Sequence, residues 1–154
     1  MTQPATIRAA RPDDLPRLLP LFRHLDAPDE AAPDPAAARA AFARLLCMEG
    51  VTVFVAGLPG PPPVLAATCT LVVMPNATHQ ARPHALIENV ATLADHRQQG
   101  LGSAMLRAAV AAAREAGCYK VVLTTGSKRE STLRFYERAG FARGTRTAFQ
   151  IRWS

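Results

Sequence analysis

The sequence predicts an α/β domain with a central mixed β-sheet flanked by helices. Three observations carry that expectation. Apolar, β-branched runs occupy 51–56, 64–74 and 85–93; segments with apolar residues at helical spacing lie before and after them; and a strand, a glycine turn, a helix and another strand follow one another between 85 and 125. A strand–helix–strand sequence of that kind makes its two strands parallel neighbours. The 154 residues suit one domain spanning 1–154 and are too few for two ordinary ones. With 49% hydrophobic and 19% charged residues, the composition excludes a disordered chain.

The elements follow in order. Ile7-Arg8-Ala9 reads as a short first strand, and Arg11-Pro12-Asp13-Asp14 as a turn and helix start. Leu15, Leu18, Leu19, Phe22 and Leu25 recur at helical spacing and give a first amphipathic helix. Ala27 to Pro35, rich in proline and acid, is expected to link it to a second helix over Ala36 to Cys47, with Phe42, Leu45 and Leu46 on one side. Val51–Ala56 and Val64–Met74 should form a hairpin through the proline-rich turn 57–63. After a polar loop broken by Pro75 and Pro83, a third run extends from Ala85 to Leu93. Leu101, Met105, Ala108 and Ala112 mark a helix over Gly100 to Ala116, capped by Gly117. A β-prone run, Tyr119 to Thr125, follows; Ser131 to Ala139 forms a short helix ended by Gly140, and Phe141 through Trp153 can supply one or two closing strands. The expected order is β-α-α-β-β-β-α-β-α-β.

A net charge of +6 and a pI near 10.0 favour acidic partners. The arginines are spread through the second half without a run of five or six and without interleaved aromatics, so a phosphate-rich cofactor fits better than nucleic acid. Cys47, Cys69 and Cys118 are odd in number and far apart, which predicts a reducing compartment and, for each, the role of a small buried hydrophobe. No charged start precedes an apolar block, and no apolar stretch approaches a membrane span, so the expected location is the cytoplasm. Four histidines without helical H-x-x-x-H spacing or a cysteine cluster predict no metal site.

The turn before the third helix, Arg97-Gln98-Gln99-Gly100-Leu101-Gly102, carries the chemistry. Free N–H groups and the positive helix end favour an anion there, and glycines at 100 and 102 would let a diphosphate approach the backbone. A P-loop would need Lys-Ser or Lys-Thr after a suitable glycine, which is absent. A dinucleotide fingerprint fits poorly, because Met105 takes its third glycine position and Lys120 lies about where its ribose-binding acid should be. On the hexapeptide alone, a purely structural turn stays open.

Four segments together resemble the GNAT acetyltransferase family. Arg97-x-x-Gly100-x-Gly102 is similar to its acetyl-CoA motif, Ile87-Glu88-Asn89-Val90-Ala91-Thr92 to its central strand, and Phe135-Tyr136-Glu137-Arg138-Ala139-Gly140-Phe141 to its F-Y-x-x-x-G-F signature. Ile7-Arg8-x-Ala10 followed by Asp14-Leu15 resembles its usual start. Within the family, Ile87-Glu88-Asn89-Val90, Gly117-Cys118-Tyr119-Lys120 and Phe135-Tyr136 are closest to the glucosamine-6-phosphate N-acetyltransferase branch. Asn89 stands where that branch tends to have Asp, and Thr124-Thr125-Gly126-Ser127 replaces its acidic segment, so the resemblance carries the reaction and leaves the acceptor open.

The resemblance implies the GNAT fold and, without any metal, transfer of an acetyl group from the cosubstrate acetyl-CoA to the amine of a small molecule. Glu88 interrupts an apolar strand and is the candidate base; in a regular strand it would share a face with Val90 and Thr92, and a water could relay the proton. Its competing role is to orient substrate or pair with an arginine. By resemblance, N–H groups around Val90 and Ala91, at a bulge that splays this strand from its parallel neighbour, polarise the thioester. Val90, Ala91 and Thr92 would pair with pantetheine, and Arg97, Gln98, Gln99, Gly100, Leu101, Gly102 and Ser103 would hold the pyrophosphate. Tyr136 matches the tyrosine that protonates the departing thiolate; its competing role is core packing, the expected role of Phe135. Arg129 stands where many relatives have Asn against the cofactor. Lys128 and Arg129 could bind an acidic acceptor or the CoA 3′-phosphate or form a solvated turn, and His79 and His84 are expected as solvated loop residues. A homodimer through the late strands, including Gln150-Ile151-Arg152-Trp153, is expected, with no nucleic-acid or membrane partner. Trp153 packed on its own core is the alternative. A peptide N-acetyltransferase and a non-catalytic acyl-CoA-binding module are the rival functions.

Overall fold

The computed structural model of the chain describes residues 5–25 and 30–153. The first four residues of the segment read as lacking a leader, and positions 27–29 of the expected linker, lie outside the described residues. The strands are β1 (Thr6–Ala9), β2 (Val51–Leu58), β3 (Val64–Met74), β4 (His84–Thr92) and β5 (Val121–Leu123). The helices are α1 (Leu15–Phe22), α2 (Pro35–Cys47), α3 (Leu101–Glu115) and α4 (Glu130–Arg138). Single 3-10 turns at Pro12–Asp14 and Ala94–His96 precede α1 and α3.

One five-stranded sheet runs in the order β1-β2-β3-β4-β5. Each neighbouring pair among the first four strands is antiparallel, and β4 and β5 are parallel across the α3 crossover, as the strand–helix–strand pattern predicts. Alternation along β2 sorts the two faces. Ala56 meets Cys69, Leu71, Ile87, Met105, Leu106 and Ala109 beneath α3, while Val53 and Val55 meet Leu15, Leu18, Leu21 and Phe42 from α1 and α2. Covered on both sides, β3 is buried from Leu65 through Leu71, which explains its unbroken small and apolar sequence.

Three elements differ from the sequence expectation. Helix α1 stops at Phe22 instead of reaching Leu25, because the chain tightens into i to i+3 bonds, His24 N–H to Leu21 O at 3.2 Å and Leu25 N–H to Phe22 O at 2.8 Å. Strand β5 keeps three residues of the seven-residue run, and the closing strands expected over 141–153 are absent. A strand needs an edge to pair with as well as an alternating pattern. The extended tail has the pattern but no pairing edge among the described residues, so Phe149, Ile151 and Trp153 are 94%, 77% and 85% exposed. Trp153 therefore does not pack on the core, and Cys47 is exposed instead of buried, whereas Cys69 is buried.

Asp14 ties the first strand to the first helix. Its carboxylate, 1% exposed, accepts from Arg8 Nη1 and Nη2 at 2.6 and 2.9 Å, Arg17 Nη2 at 2.8 Å and the Arg11 N–H at 2.8 Å. A buried carboxylate survives only with such pairing. The Arg8 guanidinium, with the Arg11 N–H and the Arg17 charge, overcomes burial and holds the Asp14 carboxyl down at about 2, below its ordinary 3.8. A carboxyl lowered on folding contributes stability above its unfolded value, and that contribution disappears as the pH falls through the folded one. The Asp14 contribution is therefore complete above about pH 4 and lost towards pH 2. Asp14→Ala is expected to lower the unfolding free energy by about 3 kcal/mol in urea titrations at pH 7, and to flatten the acid limb of stability between pH 4 and 2.

Candidate active site

Strand β4 contains one residue too many for its partner. Thr70 faces Glu88 and Thr68 faces Ala91, so Cys69 on β3 stands against both Asn89 and Val90. Asn89 takes up the extra length at φ 53°, a left-handed conformation that Asn tolerates better than most side chains. The bulge resets the alternation. Ile87 and Val90 both pack on the α3 side, and Ala91 turns to the α1 side, the side to which Glu88 points by alternation from Ile87. A regular strand would have put Glu88 on one face with Val90 and Thr92; the inserted Asn89 separates Glu88 from Val90. Glu88 is half-buried, and among the described residues its side chain makes no hydrogen bond or ion pair, so no arginine claims its carboxylate.

The same position marks where β4 loses its parallel neighbour. Pairing with β5 runs from Ala85 with Val121 to Ile87 with Leu123 and ends there, while β3 stays paired with the other edge as far as Thr92. Among the described residues, no strand covers the β5 side of β4 from Glu88 to Thr92. Such an edge can accept an extended, amide-bearing ligand as an added strand.

Beyond Thr92 the chain turns through Ala94–His96 and enters α3. Arg97 Nε donates to Thr92 O and Gln99 Nε2 to Asp95 O, each at 3.3 Å, so both side chains brace the turn. Gln98 and Gly100 are left-handed at φ 61° and 78°. The first bond of the α3 ladder is Ala104 N–H to Gly100 O at 2.9 Å. Among the described residues, the N–H groups of Gln98 through Ser103 find no acceptor. Unpaired N–H groups at a helix start form a cradle for an anion. Gly102 has a packing reason as well, because a Cβ there would lie 3.0 Å from Phe135 Cζ and 3.5 Å from Thr92 Oγ1. Its bareness lets α3, α4 and the end of β4 meet.

Helix α4 supplies the aromatic pair, with ring centroids 5.0 Å apart. Phe135 serves packing, as expected. Tyr136 is half-buried against the α3-side core, with Phe141 edge-on at 6.5 Å. Burial pushes its hydroxyl above the ordinary tyrosine value, so it stays protonated at neutral pH and can donate. Burial alone pushes Cys69 up to about 12, which keeps that thiol neutral and unreactive.

The remaining sequence candidates lie elsewhere. Lys128 and Arg129 are exposed; the Arg129 N–H donates to Ser127 Oγ at 3.3 Å just before α4. At the start of β4, the opposite end from Thr92, His79 is exposed but stacked on Tyr119 at 4.0 Å and 9°, and His84 is half-buried instead of solvated. Among the described residues, no group of three or more His, Cys, Asp or Glu side chains is placed to hold a metal ion. Surface hollows of about 310 Å³ against α1 and α2 and about 370 Å³ on α3 are lined by neither Glu88, Tyr136 nor the 97–103 segment. Sequence reading missed Thr70, opposite Glu88. Its signal was the pair of hydroxyls, Thr68 and Thr70, at alternate positions of an otherwise apolar strand.

The sequence profile described as the acetyltransferase (GNAT) family matches residues 19–141. A glucosamine 6-phosphate N-acetyltransferase of Trypanosoma brucei brucei is 34% identical over 77 residues, 50% of each chain; the match thus spans about half the length of that curated relative. Among solved structures, a candidate acetyltransferase from Agrobacterium tumefaciens str. C58 is 42% identical, with a TM-score of 0.87 over 96% of this chain and 99% of that one. A transcriptional regulator from Bacillus halodurans C-125 is 28% identical, with a TM-score of 0.83 over 97% and 99%.

The two glycines of the turn have separable roles. Gly102→Val should drive a methyl into the Phe135 ring and cost about 2 kcal/mol, whereas Gly100→Ala meets no atom and should cost only the left-handed strain of about 1 kcal/mol. Thermal unfolding of the two variants checks this order.

Proposed function

The chain belongs to the acetyltransferase (GNAT) family, and on that premise we propose that it transfers an acetyl group from acetyl-CoA to the primary amine of a small molecule, directly within a ternary complex. The observation that carries this reading is the opening of β4 from β5 just after Ile87, followed by the unpaired N–H groups of the 98–103 turn. GNAT acetyltransferases use acetyl-CoA, an anion with two amides in its pantetheine arm and a pyrophosphate beyond it. The uncovered edge at Val90, Ala91 and Thr92 suits the amides. The cradle of Arg97, Gln98, Gln99, Gly100, Leu101, Gly102 and Ser103 suits the pyrophosphate, and no metal is needed.

An amine is largely protonated near neutral pH and must lose a proton to attack. Glu88 takes that proton; the freed nitrogen attacks the thioester carbonyl, polarised by N–H groups around Val90 and Ala91. As the tetrahedral intermediate collapses, the C–S bond breaks and Tyr136 gives its proton to the departing thiolate. The half-buried Glu88, free of ion pairs among the described residues, and the protonated Tyr136 support these roles. Glucosamine 6-phosphate leads the acceptor panel, supported by the Trypanosoma relative. The likeness to the Bacillus transcriptional regulator favours a second reading, an acyl-CoA-binding module without turnover.

A homodimer completes the proposal. Phe149, Ile151 and Trp153 alternate along the extended tail and are almost fully exposed, and a second copy would cover them. The place of action is the cytoplasm, a reading supported by free cysteines; no described helix is long and apolar enough to cross a membrane.

Calorimetry with acetyl-CoA, followed by free-thiol release across amino sugars, polyamines, amino acids and peptides, tests the function. Binding with thiol release on one small-amine class is the expected outcome, and binding without turnover on any amine favours the module. Glu88→Gln should lower kcat roughly 100- to 1,000-fold with acetyl-CoA affinity retained. Tyr136→Phe should remove a basic limb of kcat that lies above the ordinary tyrosine range. Truncation after Arg146 should convert a dimer to a monomer in sedimentation velocity; a full-length monomer would refute the dimer.

A further inference from the structure

The two buried threonines of β3 are used differently. Thr68 donates its hydroxyl to Phe54 O on β2 at 2.9 Å, a bond that holds two strands together. Thr70, two residues on and on the same face, is 4% exposed, and its buried Oγ1 has no hydrogen-bond partner among the described residues. A buried hydroxyl without a partner is unfavourable, and valine would fill nearly the same volume without that penalty. A hydroxyl kept in such a place points to a partner that arrives with the ligands. The register says where that partner sits. Thr70 is opposite Glu88 in the last matched pair before the bulge, so their Cβ atoms lie about 5 Å apart on one face of the sheet. No direct bond joins the two side chains. One water set between two polar groups that face each other without touching would satisfy both.

We infer that Thr70 is a positioning residue: its hydroxyl and the Glu88 carboxylate together hold the water through which the acceptor's ammonium loses its proton. The inference rests on the reading of Glu88 as the base. In the step, an N–H bond of the ammonium breaks and its proton joins the water, while the water passes a proton to a Glu88 carboxylate oxygen. The nitrogen keeps the electron pair with which it attacks, and the Thr70 O–H bond stays intact throughout.

The experiment compares Thr70→Val, Thr70→Ser and Glu88→Gln in the full chain. Values of kcat and KM are measured with glucosamine 6-phosphate and with the fastest amine of the panel. Thr70→Val should keep the melting temperature, the acetyl-CoA affinity and the acceptor KM while lowering kcat about tenfold. Thr70→Ser should restore kcat, which a purely packing role would not produce. Should valine unfold the protein, Thr70→Ala reads the same loss of kcat. A kcat left unchanged by loss of the hydroxyl overturns the inference. Full turnover in Glu88→Gln sinks the base reading itself, and loss there beside full activity in Thr70→Val rejects only the role of Thr70.

Discussion

Asn89 sits in the left-handed region at φ 53° in the middle of β4, and the geometry around it follows from that one inserted residue. Side chains of a strand alternate, so an added residue changes the parity of everything after it. Ile87 and Val90, three apart, both reach the α3-side core. Ala91 comes out on the α1 side, the face that Glu88 occupies. The ladder to β3 skips at Cys69, and the ladder to β5 stops after Ile87. A strand that must stay paired on one edge and come free on the other needs such a local bend. The left-handed backbone costs on the order of 1–2 kcal/mol, offset by the buried strands on either side of it.

Those strands hold the bulge rigidly. β3 is buried on both faces from Leu65 through Leu71, and Asp14 fastens the turn before α1 to Arg8 on β1. On the other face, Gly102 lets the start of α3 rest against Phe135 and Thr92. That contact fixes the unpaired N–H groups of the 98–103 turn just beyond the open edge of β4. The open edge of β4 leads along the chain into the cradle, which is the physical basis for proposing this stretch as the seat of a long, amide-bearing anion.

The tail is held differently from the rest. Arg143 reaches back to Glu130 at 3.2 Å and Glu137 at 2.9 Å on α4. Beyond it Phe149, Ile151 and Trp153 are exposed, a concentration of large apolar side chains found at no other short stretch of the described surface. Their alternation is that of a strand with one face to bury, and what is missing is the edge.

Much of the architecture was legible in the residues. Periodicity located nine elements, several to within a residue or two, and the strand–helix–strand order required β4 and β5 to be parallel, because hydrophobic spacing and turn residues are local properties. The glycine turn proposed for acetyl-CoA, Glu88 and Tyr136 stood out as candidates for the same reason, as residue types at readable spacings. The direction in which Glu88 points was not legible, since a period-2 pattern carries no sign of an inserted residue unless its φ is known. Nor was the unpartnered hydroxyl of Thr70, which depends on what lies across the sheet. The tail shows the limit most plainly. Its alternating sequence specifies a strand, but whether a strand forms is decided by the edge available to it, and an edge is a property of the folded sheet. The sequence by itself determined nine of the elements, their order and the residue types of the candidate site; the tertiary structure alone decided faces, open edges and partners, because those arise from contacts between residues far apart in the chain.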